Sequence, residues 1–130
     1  MSFSLHFGSY GIVAFVATTN LRAAKHFYGD ILGLRLTTEN DFALVFDAHG
    51  TPLRVTVVRT VVAADYTVIG WLVPDVRQEA ARLQDAGVAL ARYPGMEQDE
   101  LGVWAAPGGA HVAWFKDPDG NTISISDGYM

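Results

Sequence analysis

The chain states one structural plan twice, and that repetition constrains its fold more than any single motif does. In the first half, a β-branched and aromatic run from Gly11 to Ala17 predicts a strand. Asn20 follows as an N-cap, and LRAAKHFYGDIL then places Leu21, Ala24, Phe27, Tyr28, Ile31 and Leu32 at helical spacing, with Gly33 as the stop. Three short strands are predicted next, GLRLTT, FALVFDA and PLRVTVV, with DAHG at Asp47 to Gly50 as a hairpin turn. The second half repeats the order. A strand runs from about Tyr66 to Val73, and Asp75 caps the helix VRQEAARLQDA. That helix carries Val76, Ala80, Leu83 and Ala86 on one face and stops at Gly87. Strands VALARY, LGVWAA, HVAWFK and NTISIS complete it, with APGG and DPDG as turns.

The repeat holds residue by residue. Placing Gly50 on Gly120 brings Asp47 onto Asp117, Leu53 onto Ile123, Val55 onto Ile125 and Thr56 onto Ser126, and Asn20 meets Asp75 to within one residue. VVAADY, Val61 to Tyr66, joins the copies. The expected class is α+β: two βαβββ modules, about 10–62 and about 66–126, forming a curved, mostly antiparallel sheet around a concave pocket. A single domain over residues 1–130 is long enough for this, and a composition 50% hydrophobic supplies its core.

Composition also removes function classes. Without cysteine there is no disulfide, thiolate metal site or thiol nucleophile. A net charge of −5 with scattered Lys and Arg disfavours nucleic acid. MSFSLHFGSY has no basic region or long apolar run to act as a signal peptide, and no apolar stretch of about 20 residues would span a bilayer, so a cytoplasmic location without membrane association is expected.

NLRAAKHFYGDILGLRL, VPDVRQEAARLQDAGV and DPDGNTISI, spread over about residues 10 to 126, resemble the vicinal oxygen chelate superfamily. That superfamily includes glyoxalase I, extradiol dioxygenases and bleomycin-resistance proteins. The resemblance implies a single glyoxalase-like domain of paired βαβββ modules, and a homodimer. In the superfamily's enzymes it implies a divalent metal held in the concave sheet by His and Glu from four strands, acting as a Lewis acid on adjacent substrate oxygens.

The positions this resemblance assigns to the metal carry other residues. The last ligand should follow the Asp-Pro-Asp-Gly-Asn turn, where Ser124 stands, and its repeat counterpart is Arg54. The ligands on the two opening strands should fall near Val68, and near Gly11, Ile12 or Val13. No His, Asp or Glu lies within one residue of these positions, and Arg54 would set a permanent positive charge beside the dication. No metal and no other cofactor is therefore expected. His6, His26, His49 and His111 show no chelating spacing.

Strand alternation predicts the lining instead. With Ile123 and Ile125 packed under the helices, Thr122, Ser124 and Ser126 face the concavity; with Leu53 and Val55 packed, Arg54 and Thr56 face it. The expected ligand pocket is Phe15, Phe46 (at the rim), Arg54, Thr56, Trp104, Trp114 and Ser124; Trp104 and Trp114 also read as core. Arg54 would recognise a carboxylate or phosphate or pair with an acidic side chain. YPGMEQDELG, Tyr93 to Gly102, reads as a polar loop at the mouth, either a solvated acidic loop or a rim for a cationic ligand. These residues support a metal-free binder of an unidentified small molecule. The alternatives are a metal-dependent lyase, isomerase or dioxygenase, and a metal-free enzyme in which Arg54 stabilises an anionic intermediate.

Overall fold

The structure is a computed structural model that describes residues 4–128. The chain divides into two compact units, Met1–Arg59 and Thr60–Met130.

The first unit runs β1 (Ala14–Thr18), α1 (Leu21–Ala24), a π-helical segment (Lys25–Ile31), β2 (Arg35–Glu39), β3 (Ala43–Ala48) and β4 (Thr51–Val57). Its sheet has the order β1-β4-β3-β2, with β1 parallel to β4 and the other pairs antiparallel. Asn20 caps α1 as expected, its Oδ1 accepting from the Ala23 N–H at 3.1 Å. The predicted single α-helix is not uniform, because after Ala24 the winding widens and Leu32 N–H donates to the Phe27 carbonyl five residues back. Gly29 lies inside this segment, where glycine weakens α-helical winding. Phe27 and Tyr28 are both buried there, edge to face. The DAHG turn is a two-residue hairpin with positive φ at His49 and Gly50, and Asp47 Oδ1 accepts from the Gly50 N–H at 3.0 Å.

The second unit runs β5 (Ile69–Leu72), α2 (Val76–Asp85), β6 (Trp104–Ala105), β7 (His111–Lys116) and β8 (Thr122–Ser126). Its sheet order, β5-β8-β7-β6, reproduces the first, again with the opening strand parallel to the last. Asp75 caps α2 as Asn20 caps α1. Asp117 organises the DPDG turn as Asp47 does its own, accepting from the Asp119 and Asn121 N–H groups at 2.9 Å. The duplicated plan is thus present as two α+β modules.

One predicted strand is missing. VALARY contributes only a bridge from Leu90 to Phe115. The Gln98 side chain takes the backbone groups a ladder would have used, donating to Ala91 O and accepting from Tyr93 N–H.

In each sheet one face packs the core. Val16, Leu44, Phe46, Leu53 and Val55 are buried in the first, and Ala113, Phe115, Ile123 and Ile125 in the second. The other face of each sheet carries its own candidate site residues. Among the described residues no helix is long and apolar enough to cross a membrane.

Candidate functional site

On the first sheet, register sets the neighbours. Phe15 pairs with Arg54 and Arg54 with Val45, so these three share one row of the face away from the core. The next row on that face is Ala17, Thr56 and Ala43. Phe15 is exposed, whereas Arg54 and Thr56 are half-buried. Arg54 forms no hydrogen bond or ion pair with a described residue. The carboxylate on the same face, Asp47, is engaged by Arg35 across the strands at 3.5 Å. Thr56 Oγ1 is buried and has no hydrogen-bond partner among the described residues. Such a hydroxyl costs about 1–3 kcal/mol until something pairs with it.

Phe46 does not belong to this face. It pairs with Leu53, is fully buried and lies against Tyr28 at 6.1 Å between ring centroids. The expected rim role is corrected to core. The signal was in the sequence: a two-residue turn at His49-Gly50 pairs 48 with 51, and hence 46 with 53.

On the second sheet, Trp114 pairs with Ser124, and Ser124 with Gly70. Trp104 and Trp114 are half-buried with ring centroids 6.1 Å apart, and Tyr93 meets Trp114 edge to face at 5.4 Å. The indoles, the Ser124 hydroxyl and Gly70 therefore make an aromatic shelf with a hydroxyl at its edge. Gly70 leaves room: a Cβ there would come within 3.0 Å of Ser124 Oγ. Tyr93 and Gly70 were not anticipated as part of this surface. Burial, with a smaller effect from the Asp65 charge, raises the Tyr93 phenol above its ordinary pKa. Thr122 shares this face but is buried, its Oγ1 donating to Ala64 O at 2.8 Å and accepting from Lys116 Nζ at 2.7 Å.

The Tyr93–Gly102 segment is fixed from several sides. Arg77 pairs with Asp99 and with Glu100, and the Arg92 guanidinium donates to the carbonyls of both. Asp99 Oδ1 accepts from the Leu101 and Val103 N–H groups, each at 2.9 Å. The hydrogen bond from Arg77 holds the Glu100 carboxyl below its usual pKa and raises Arg77 in return. Two of the loop's three acids are thus neutralised within the unit, which weakens the reading of an anionic rim. Glu97 remains, in an open depression of about 440 Å³ lined by Pro94, Gly95, Met96 and Trp104.

The strand partner of Arg54 is Phe15 and that of Ser124 is Gly70. The positions expected to hold a metal, near Gly11, Ile12 or Val13, near Val68, and at Arg54 and Ser124, offer no imidazole or carboxylate, so neither sheet's share of them fits a divalent ion. Among the described residues no three His, Asp or Glu side chains are grouped to hold a metal. His26 lies 3.0 Å from Asp30 and His111 2.7 Å from Asp127, both pairs away from the two faces.

The profile of the Glyoxalase/Bleomycin resistance protein/Dioxygenase superfamily matches residues 6–125. No curated protein sequence matches the chain. Among solved structures, a glyoxalase family protein from Enterococcus faecalis is similar at 19% identity and TM-score 0.72, covering 93% of this chain and 99% of that one. A lactoylglutathione lyase from Agrobacterium tumefaciens gives 15%, 0.69, 91% and 92%. The fosfomycin resistance protein FosX from Listeria monocytogenes gives 14%, 0.72, 94% and 93%. At such identities the likeness is one of fold.

Proposed function

The chain belongs to the Glyoxalase/Bleomycin resistance protein/Dioxygenase superfamily, and we propose that within it this protein is a metal-free small-molecule binder. The observation that carries this reading is the content of the paired positions. Arg54 and Ser124, with their strand partners Phe15 and Gly70, present a guanidinium, a hydroxyl, an aromatic ring and a gap rather than imidazoles and carboxylates. The Trp104–Trp114–Tyr93 shelf supplies what binding an organic molecule requires: large, rigid apolar area with a polar group at its edge.

Arg54, without an ion-pair partner among the described residues, favours a second reading, in which the same face stabilises an anionic intermediate in a metal-free reaction. The structurally similar proteins, a lyase and a fosfomycin resistance protein among them, span enzyme and resistance roles, so fold does not choose between binding and turnover.

A homodimer in the cytoplasm accompanies this proposal. The superfamily resemblance supports the dimer, as does the exposed apolar surface of Leu5, Phe7, Tyr10 and Ile12. Light scattering on the purified protein tests it, a monomer at working concentrations being the contrary result.

Elemental analysis of protein purified without chelator tests the metal-free assignment; stoichiometric zinc, nickel, iron or manganese overturns it. A fluorescence screen of neutral, cationic and anionic aromatic compounds tests binding, because Trp104 and Trp114 report on contact. A screen in which no compound alters their emission, including in Trp104→Phe and Trp114→Phe controls, counts against a binder.

A further inference from the structure

The first sheet says more about the ligand, provided the protein is the small-molecule binder proposed above. Arg54 is a forked cation between two apolar neighbours, Phe15 and Val45. Water is partly withdrawn from it, since it is half-buried, and Asp47, on the same face of the sheet, is committed to Arg35. A guanidinium in that setting has strong unmet demand for an anion, and its paired N–H groups match the two oxygens of a carboxylate or phosphonate. A second observation lies two residues along the same strand and face, where the Thr56 hydroxyl is shielded from water and has no partner among the described residues, and a turn about χ1 is needed to present it to a ligand. An oxyanion accepting from it would satisfy it, as a neutral hydrocarbon would not.

We infer that Arg54, Thr56 and Phe15 form a recognition site for a small organic anion, its carboxylate, phosphate or phosphonate head on the guanidinium and the Thr56 hydroxyl, its apolar body against Phe15. The chain's net charge of −5 does not oppose this at close range. Exposed charges beyond a screening length of about 8 Å count for little in physiological salt, whereas a guanidinium at contact distance is hardly screened. The site discriminates by what a wrong ligand leaves behind. A neutral isostere leaves Arg54 unpaired, and a cation meets direct repulsion.

Calorimetric titration of the intact protein with benzoate, phenylphosphonate, benzamide and benzylamine tests this. Benzoate or phenylphosphonate should bind at least about tenfold more tightly than benzamide, with benzylamine weakest, as a charge-assisted forked contact predicts. Arg54→Gln should erase the preference, Arg54→Lys should retain part of it, and Thr56→Val should weaken the anions more than benzamide. Equal binding of benzoate and benzamide, or benzoate affinity unchanged in Arg54→Gln, overturns the inference while leaving a binder. Should none of the four probes bind, the inference also falls, and the fluorescence screen decides separately whether the binder reading stands. If Arg54→Gln fails to fold, the benzoate-to-benzamide ratio in the unaltered protein and in Arg54→Lys decides.

Discussion

Gly70 lies beside Ser124 so closely that a methyl group on residue 70 would sit 3.0 Å from the serine Oγ. The contact is with the free end of a small rotatable side chain, so Gly70→Ala is expected to turn the hydroxyl rather than unfold the sheet, changing stability by less than about 1 kcal/mol. The two sites should be coupled. In urea titrations, Ser124→Ala in the Gly70→Ala background should relieve about 0.5 kcal/mol or more relative to additivity. Strict additivity would mean that the strands do not meet in this register.

Phe46 and Phe15 make opposite forecasts although both were expected in the pocket. Phe46 is fully buried against Tyr28, and Phe46→Ala should cost about 3–5 kcal/mol through lost burial and a cavity. Phe15 is 63% exposed, and Phe15→Ala should change stability by only about 0.5 kcal/mol while weakening ligands that use the Arg54 face. Denaturant midpoints that rank the two equally would contradict this assignment.

The loop that ends in the Trp104 strand should loosen when Arg77 is replaced. Arg77→Met removes the pairings to Asp99 and Glu100. Because both partners reach the surface, global stability should barely move. Amide exchange at Leu101 and Val103 should nevertheless quicken, as Asp99 loses its anchor. Unchanged protection there would mean that Gln98 and Arg92 hold the loop without it.

Acid should expose the Asp127 contribution. The His111 backbone N–H, at 2.6 Å, and the His111 ring hold the Asp127 carboxyl below its ordinary pKa. A depressed carboxyl stabilises the fold above its unfolded pKa and loses that contribution as pH falls through the folded value, so the window lies below about pH 4. Melting temperatures of Asp127→Asn should be lower than those of the parent at pH 6 and converge with them in strong acid. A constant gap down to pH 2 would refute the linkage.

Donors can be written back onto the first sheet. Because Phe15 and Arg54 are parallel-strand neighbours, the Phe15→His, Arg54→Glu double variant should gain measurable affinity for nickel or zinc by calorimetry. Val13→His with Arg54→Glu should gain less. The reverse ranking would restore the position anticipated from the sequence.

Much of this protein is legible without coordinates. Alternation along PLRVTVV and NTISIS assigned Leu53, Val55, Ile123 and Ile125 to the core and Arg54, Thr56 and Ser124 to the other face, and Asn20, Asp75 and the Asp-led turns announced both modules. These features act over a few residues, through side-chain direction, capping and turn geometry, so a one-dimensional pattern carries them. Only the tertiary structure decided which residue stands beside which. Phe15 lies next to Arg54 and Gly70 next to Ser124 because distant parallel strands settle at the offset that best buries their shared apolar face. VALARY gave way to Gln98 because a folded loop brought an amide to backbone groups that local propensity had promised to a strand.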